Sequence, residues 1–424
     1  MTDSPITELD GAVLYGNGRL TIDLGALVAN WKKLGKIAKT ENKNNEAAAV
    51  VKANAYGLGI EEVVPALSNA GCETFFVATI REGMRVRKKN KTARIYVLNG
   101  FHPSIWATYK KSKLTPVLCT PQDIEAFLEL PGKKNEAALH IDTGMNRLGL
   151  SAAELSVLVN DEAKMSAFKP VLIMSHFACA DDPAHRLNKK QIAAFAMATL
   201  KFPDAKRSLA NSAGIFLGPN AHYDLVRCGV AMYGGEAVND VPNPMKPVVK
   251  LETRILQLRY VKKGETVGYG ATGKAKRDSI IATCGTGYAD GYNRSASGAG
   301  VVMRKQKGTT GANGMIGNYL VPMMGRVSMD LCAFDVTEVP ERILKKVQWI
   351  EMLNKHILVD DVARSAGTIG YEVLTHARVP ANDGGLALGQ VGRTNQRWLL
   401  SKEAAQVQRI STPPNRYAFE RVIL

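Results

Sequence analysis

A lysine closes an apolar run in Ala-Ala-Ala-Val-Val-Lys-Ala-Asn-Ala-Tyr-Gly, Ala47 to Gly57. Ala47–Val51 is short and β-branched at its end, so it reads as a buried strand and not a helix. A buried ammonium is costly, so Lys52 either reaches out to water or is kept with its charge suppressed. A desolvated lysine is a nucleophile that forms a Schiff base with an aldehyde. Taken alone, Lys52 fits the plainer reading better: a strand ending at the surface with its ammonium in water. Other polar residues also follow apolar runs. They are Asp142, Asn146 and Arg147, then His176, then Asn211 and Ser212, then Arg227. Singly each has an ordinary explanation: a satisfied core histidine, a helix cap, half of an ion pair. Asn211–Gly214 and Arg227–Val230 also supply small residues whose backbone N–H groups could hold a phosphate. An amine, a phosphate nest and an arginine at one mouth are the parts that a pyridoxal phosphate site requires.

The elements that would bring them together are short apolar runs alternating with helical stretches. The runs are Ala48–Val51, Thr74–Ala78, Ile95–Leu98, Leu114–Leu118, Ala137–Ile141, Val171–Ser175, Arg207–Ala210 and Tyr223–Val226. Candidate helices include Glu61–Ala70, Gln122–Leu130, Ala152–Val159 and Asn188–Leu200, with Asp23 as N-cap of an earlier one. About eight strand–helix alternations over about 180 residues suggest an α/β fold, a (β/α)8 TIM-type barrel. The polar residues would then share its C-terminal mouth. From about Lys250 the texture changes to β-rich runs between Gly-rich turns, with few helical periods, which suggests a mostly-β second domain. The expected division is residues 1–247 for the pyridoxal phosphate-binding barrel, 248–375 for the C-terminal β domain, and 376–424 for an atypical extension whose plain reading is disorder.

Composition narrows the class. A chain of 424 residues with 46% hydrophobic and 22% charged residues describes a globular protein of more than one domain. Met1–Leu20 carries acidic residues and no continuous apolar stretch, and no window approaches a membrane span, so a cytoplasmic protein with no membrane partner is expected. Six scattered cysteines without Cys-x-x-Cys spacing fit reduced thiols and argue against a zinc site; no metal is expected. The net charge of +16 is spread in small groups without interleaved aromatics, so no nucleic-acid partner is expected. Gly268–Lys274 has P-loop spacing, but Ala275 stands where a hydroxyl must bind magnesium.

Eight ordered motifs then carry a resemblance. They are Val-Val-Lys-Ala-Asn-Ala-Tyr-Gly, Asp-Thr-Gly-Met-Asn-Arg-Leu-Gly, Ser-His-Phe-Ala, Asn-Ser-Ala, Gly-Tyr-Gly-Ala-Thr, Gly-Tyr-Ala-Asp-Gly, Gly-Arg-Val-Ser-Met-Asp and Gly-Thr-Ile-Gly-Tyr-Glu. From about Gly18 to Thr375 the chain resembles bacterial alanine racemases, fold type III pyridoxal phosphate enzymes with a barrel and a β domain. The resemblance implies an isomerase interconverting L- and D-alanine, which supplies D-alanine for peptidoglycan and works as a homodimer with shared sites. It implies that Lys52 is the Schiff-base lysine and one catalytic base, and that Tyr288 from the partner subunit is the other. Arg227 would bond the pyridine nitrogen and His176 would pack on the ring. Tyr56, Ser212, Gly229, Val230 and Tyr371 would contact the phosphate. Arg147 would bind the cofactor's phenolic oxygen and serve the substrate, and the backbone of Met329 would bind the substrate carboxylate. Asp181, Arg326, Ile369 and Tyr371 match the positions that narrow the family's entrance.

Two departures stand out. Many relatives carry a carbamylated lysine where this chain has His140, so a bound anion such as chloride, or another hold, must steady Arg147. Ser328 stands where many have cysteine. The runners-up are a broader racemase accepting serine and a non-catalytic pyridoxal phosphate carrier. The carriers lack the β domain and second base that are present here. A decarboxylase of the fold type would pair the ring nitrogen with an acid, which Arg227 opposes.

Overall fold

The computed structural model describes residues 16–131, 136–298, 311–376 and the backbone of 397–400. Its contacts divide into two compact units. The first holds Asp23–Val249 with Lys355–His376; the second holds the described residues of 16–22, 250–354 and 377–424.

Asp23 ends strand β1 (Gly18–Asp23) and accepts a hydrogen bond from Ala26 N at 2.8 Å, capping the helix Leu24–Ala38. Leu27, Trp31 and Leu34 bury the inner face of that helix, as their spacing predicts. Eight parallel strands follow in the first unit. They are β2 (Glu46–Val50), β3 (Thr74–Val77), β4 (Arg94–Val97), β5 (Thr115–Leu118), β6 (Ala138–His140), β7 (Leu172–Met174), β8 (Lys206–Ser208) and β9 (Leu225–Cys228). Each pairs with the next from β2 to β8, and β9 pairs with β2, Ala48 opposite Arg227. Asp224 N to Arg207 O at 3.1 Å and Arg227 N to Ala210 O at 3.0 Å join β8 to β9 and close the ring. The expected barrel is present, strand for strand. Most of its strands read as apolar runs because helices cover one face and packed side chains fill the other; β8 (Lys206-Arg207-Ser208) is the exception.

The differences are local. The last strand begins at Leu225, two residues later than expected, because Tyr223 adopts a left-handed φ of 51° and belongs to the preceding turn. Two helices, Val359–Ala366 and Gly370–His376, pack within the barrel unit although their region shows few helical periods at first reading. Val359, Val362, Ala363 and Ala366 form the buried stripe of the first.

In the second unit β10 (Val249–Val261) pairs with β1 and with two further strands in turn. Residues 251–254 pair with β17 (Trp349–Leu353), and residues 255–261 pair with β13 (Ser279–Cys284), with a register shift between Ile255 and Gln257. Such a bulge turns a strand from one pairing to another. The short β11 (Thr266–Val267) and β12 (Gly273–Lys274) form a hairpin. The strands β14 (Asn313–Ile316), β15 (Tyr319–Pro322) and β16 (Cys332–Asp335) complete an antiparallel set. Among the strands of this unit, β1, β12, β14 and β17 have no counterpart in the expected runs, and the expected run Gly300–Met303 lies outside the described residues. So does most of the extension 376–424, apart from His376 and β18 (Arg397–Leu400), which lies beside β1. No helix among the described residues is long and apolar enough to cross a membrane.

Candidate active site

The C-terminal strand ends of the barrel enclose a cavity of about 470 Å³. Lys52, Tyr56, Arg147, His176, Ser212, Arg227, Gly229, Val230 and Tyr371 all line it, with His140 and Asn211. Two guanidiniums and an amine face this space, and no described lining residue carries a carboxylate.

Arg227, 3% exposed, is held by the ends of neighbouring strands. Its Nη1 donates to Ser208 O at 2.9 Å and to Ser208 Oγ at 2.6 Å. Its Nη2 donates to Ser175 O at 2.6 Å and Leu209 O at 3.1 Å. Burial pushes it down to about 9, so it remains a cation at neutral pH. Nη2 also lies 3.3 Å from His176 Nδ1, and Asn211 Nδ2 lies 3.4 Å from His176 Nε2, so both ring nitrogens face donors. Burial first, then Arg227 and Arg147, hold His176 well below its ordinary pKa, so the ring is neutral. His140 follows the same physics: burial and then Arg227 push it down to about 4.

The loop that carries Arg147 is built on Asp142. Its Oδ1 accepts from Gly144 N and Met145 N at 2.8 Å, and its Oδ2 from Asn146 N at 2.8 Å. Leu150 N to His140 O at 2.9 Å closes the loop at its base. A Cβ on Gly149 would stand 2.9 Å from the His140 ring and 2.8 Å from Asp142 N, so the loop packs directly on that histidine. Asp142 and Asn146 therefore support the site without lining it.

Ser212 organises the loop after β9. Its Oγ accepts from Gly229 N at 2.8 Å and Ala231 N at 3.3 Å. A Cβ on Gly229 would approach Tyr56 Oη to 2.8 Å, so only glycine lets the hydroxyls of Tyr56 and Ser212 crowd this backbone. Tyr56 stacks on Tyr233 at 4.5 Å and stands 6.0 Å from the Tyr371 ring. Burial, then Asp181 and Asp360, push Tyr371 up to about 12, so it stays a neutral donor.

Lys52 is accessible from the mouth. Its pKa is lowered, chiefly by burial and then by Arg147 and Arg227, while Glu82 opposes them. The residues after it are unusual. Ala53, Asn54, Ala55 and Tyr56 all have φ between 52° and 57°, a left-handed turn built without glycine. Each such residue costs roughly 1–2 kcal/mol. Strain of this kind persists only where the surroundings over-determine it.

Of the other expected site residues, Asp181 and Ile369 belong to the barrel unit but do not line the cavity; Asp181 Oδ2 accepts from Asn239 Nδ2 at 3.0 Å. Tyr288, Arg326 and Met329 belong to the second unit. There Tyr288 N donates to Ser328 O at 3.0 Å and Ala289 N to Met329 O at 2.9 Å, so one turn presents both Tyr288 and Met329. Both side chains are exposed, and the Arg294 guanidinium lies 5.5 Å from the Tyr288 ring.

With this geometry in hand, comparison with known proteins is direct. A model of the alanine racemase N-terminal domain matches residues 22–237, and one of the C-terminal domain matches 248–382. The alanine racemase of Rhizobium meliloti is 46% identical over 85% of this chain and 95% of its own. The chain belongs to the alanine racemase family. The alanine racemase of Rhodospirillum rubrum is 45% identical over 87% of this chain and 96% of its own. The crystal structure of alanine racemase from Bartonella henselae with covalently bound pyridoxal phosphate superposes with a TM-score of 0.76. It is 36% identical and covers 85% of this chain and 97% of that one. The biosynthetic alanine racemase from Pseudomonas aeruginosa has a TM-score of 0.75 at 36% identity, over the same shares of each chain. As in sequence, so in fold, the family is that of the alanine racemases.

Proposed function

We propose that this protein is a pyridoxal phosphate-dependent alanine racemase, an isomerase that interconverts L-alanine and D-alanine. The observation that carries the reading is the barrel mouth. It offers one amine of lowered pKa, two arginines and a hydroxyl-supported backbone loop, with no carboxylate among the described lining residues. Those groups fit a phosphorylated aldehyde. Lys52 Nζ meets the aldehyde carbon, and the crowded backbone at Gly229 and Val230, with Tyr56, Ser212 and Tyr371, takes the phosphate. Arg147 takes the phenolic oxygen, and Arg227 donates to the ring nitrogen.

When bound, pyridoxal phosphate acidifies the amino acid's Cα–H bond by drawing its electron pair into the ring. The protein's residues supply the rest. Arg227 stays protonated, so it gives the ring nitrogen a hydrogen bond and not a full proton. Racemisation needs a proton removed on one face and returned on the other. Lys52 Nζ serves one face, and Oη of Tyr288 of the partner subunit serves the other. The backbone of Met329 and the Arg147 guanidinium hold the substrate, and Asp181, Arg326, Ile369 and Tyr371 narrow the approach to it. The same reading makes the working form a homodimer in the cytoplasm, with D-alanine going to peptidoglycan.

Purified protein with added pyridoxal phosphate is expected to form D-alanine from L-alanine and to reach an equal mixture from either side. Serine should react far more slowly. Absence of alanine racemisation, or a faster reaction with serine, contradicts the proposal or its substrate.

A further inference from the structure

The left-handed turn after Lys52 needs a cause that its own residues do not provide. Alanine and tyrosine do not favour this conformation, and an asparagine favours it only weakly. The handedness changes between Val51, with φ −117°, and Ala53, with φ 52°, so Lys52 stands at the change. The direction of its side chain therefore depends on the turn staying left-handed.

The surroundings name the residue that holds it. One oxygen of Glu82 accepts from Asn54 N at 3.1 Å, inside the turn. The other accepts from Ala78 N at 2.9 Å and Thr79 N at 3.2 Å, at the end of β3 and the start of the helix Ile80–Lys89. One carboxylate thus ties the turn after β2 to the next strand end. Asn54 is fixed from its side chain as well: Oδ1 accepts from Arg85 Nη2 at 2.6 Å and from Ile60 N at 3.2 Å. Arg85 is itself anchored on Glu61, Nε to Oε1 at 2.9 Å. Glu82 is half-buried and is not among the residues that line the cavity, so its action on Lys52 runs through the backbone and the field.

We propose that Glu82 is a positioning residue for Lys52: its carboxylate, bound by backbone N–H groups of two loops, keeps the left-handed turn that aims the lysine into the cavity. The proposal rests on reading Lys52 as the cofactor-bearing lysine. Asn54 and Arg85 complete the clamp, and neither Glu82 nor its partners take part in proton transfer.

The capping box supplies its own control. Thr79 forms the other half, accepting from Glu82 N at 3.3 Å, and has no bond to the turn. Holoenzymes of the unsubstituted chain, Thr79→Ala, Glu82→Ala, and Glu82→Ala with Ala53→Gly and Ala55→Gly are compared. The readouts are the thermal midpoint, kcat and KM, and the pH dependence of the cofactor's absorption. The two single variants should lose thermal stability alike. Only Glu82→Ala should lower kcat about 100-fold, the scale of a misplaced reacting group, with KM within about threefold. It should also shift the pH dependence of the absorption. Glycine adopts the left-handed form freely, so the two glycines should recover at least about tenfold of the lost kcat. Should Glu82→Ala not fold, Glu82→Gln, with one acceptor left, enters the same comparison. Equal effects of Thr79→Ala and Glu82→Ala on kcat and absorption, or no recovery by glycine, overturn the proposal. If borohydride fixes the cofactor of the unsubstituted protein to a lysine other than Lys52, the parent reading falls and this one with it.

Discussion

The two ends of the barrel treat positive charge in opposite ways. At the N-terminal strand ends the cations are matched. Arg94 Nη2 reaches both oxygens of Glu46 at 2.7 Å, Lys206 Nζ reaches Oε2 at 3.0 Å, and Thr74 Oγ1 bonds the same carboxylate. Arg207 pairs likewise with Asp224, Nε to Oδ2 at 2.8 Å. At the C-terminal ends Lys52, Arg147 and Arg227 line one cavity with no carboxylate among its described lining residues. One carboxylate at the base thus joins the first residues of β2, β3, β4 and β8, which suits a stabilising role. At the mouth the charge is left unbalanced, and burial with the two guanidiniums drives Lys52, His140 and His176 toward their neutral forms. An anionic ligand completes at the mouth what Glu46 completes at the base.

Substitutions at the two ends should therefore differ in kind. The largest effect is Lys52→Ala, which should lower racemisation by about 10⁴-fold or more while the thermal midpoint of the cofactor-free protein holds or rises. A comparable loss from any base-end substitution that leaves the fold intact would break the contrast.

The next concerns acid stability of the cofactor-free protein. The folded pKa of His140 lies below its unfolded value of about 6.5, so the unfolded state takes the proton first. Its contribution is fully present above pH 6.5 and is lost as pH falls toward 4, by up to about 3 kcal/mol for a depression of this size. His140→Phe should flatten denaturant midpoints between pH 6.5 and 4; an unchanged slope would show that the ring is solvated. Arg227→Lys follows. One ammonium cannot satisfy the carbonyls of Ser175, Ser208 and Leu209, so urea melts should show a loss of about 2 kcal/mol.

The smallest effect is at the base. Burial alone would raise Glu46, but its bonds from Thr74, Lys206 and Arg94 outweigh burial and hold it below the ordinary range. Its contribution is present above the unfolded pKa of about 4.3 and is lost as pH falls through the lower folded value. Glu46→Gln should cost about 1 kcal/mol at neutral pH, given that Arg94 and Lys206 are partly exposed, with kcat unchanged.

Much of this contrast was legible in the sequence because it rests on local pattern. Apolar runs of strand length, each followed by a polar residue, give the barrel and the rim of its mouth. What stayed hidden depends on contacts across the chain. Nothing in Ala-Asn-Ala-Tyr announces a left-handed turn, since the residue types oppose it and Glu82 supplies the hold from 28 positions away. The capping box Thr79-Ile80-Arg81-Glu82 could be read as a helix start, but its second use on Asn54 could not. The helices of 359–376 are hard to read because each spans only about two turns and follows a long β-rich stretch, although Val359, Val362, Ala363 and Ala366 do stand at helical spacing. Asp142 was noticed as a polar residue after a strand, and only the three N–H groups on its carboxylate explain it.

The central claim is that the uncompensated mouth exists to hold pyridoxal phosphate on Lys52. Borohydride reduction of the purified holoenzyme, followed by peptide mass mapping, tests it most directly. The account predicts a single reduced pyridoxyl phosphate adduct on the peptide bearing Lys52, lost in Lys52→Ala. An adduct on another lysine, or none in a protein that still racemises alanine, would contradict it.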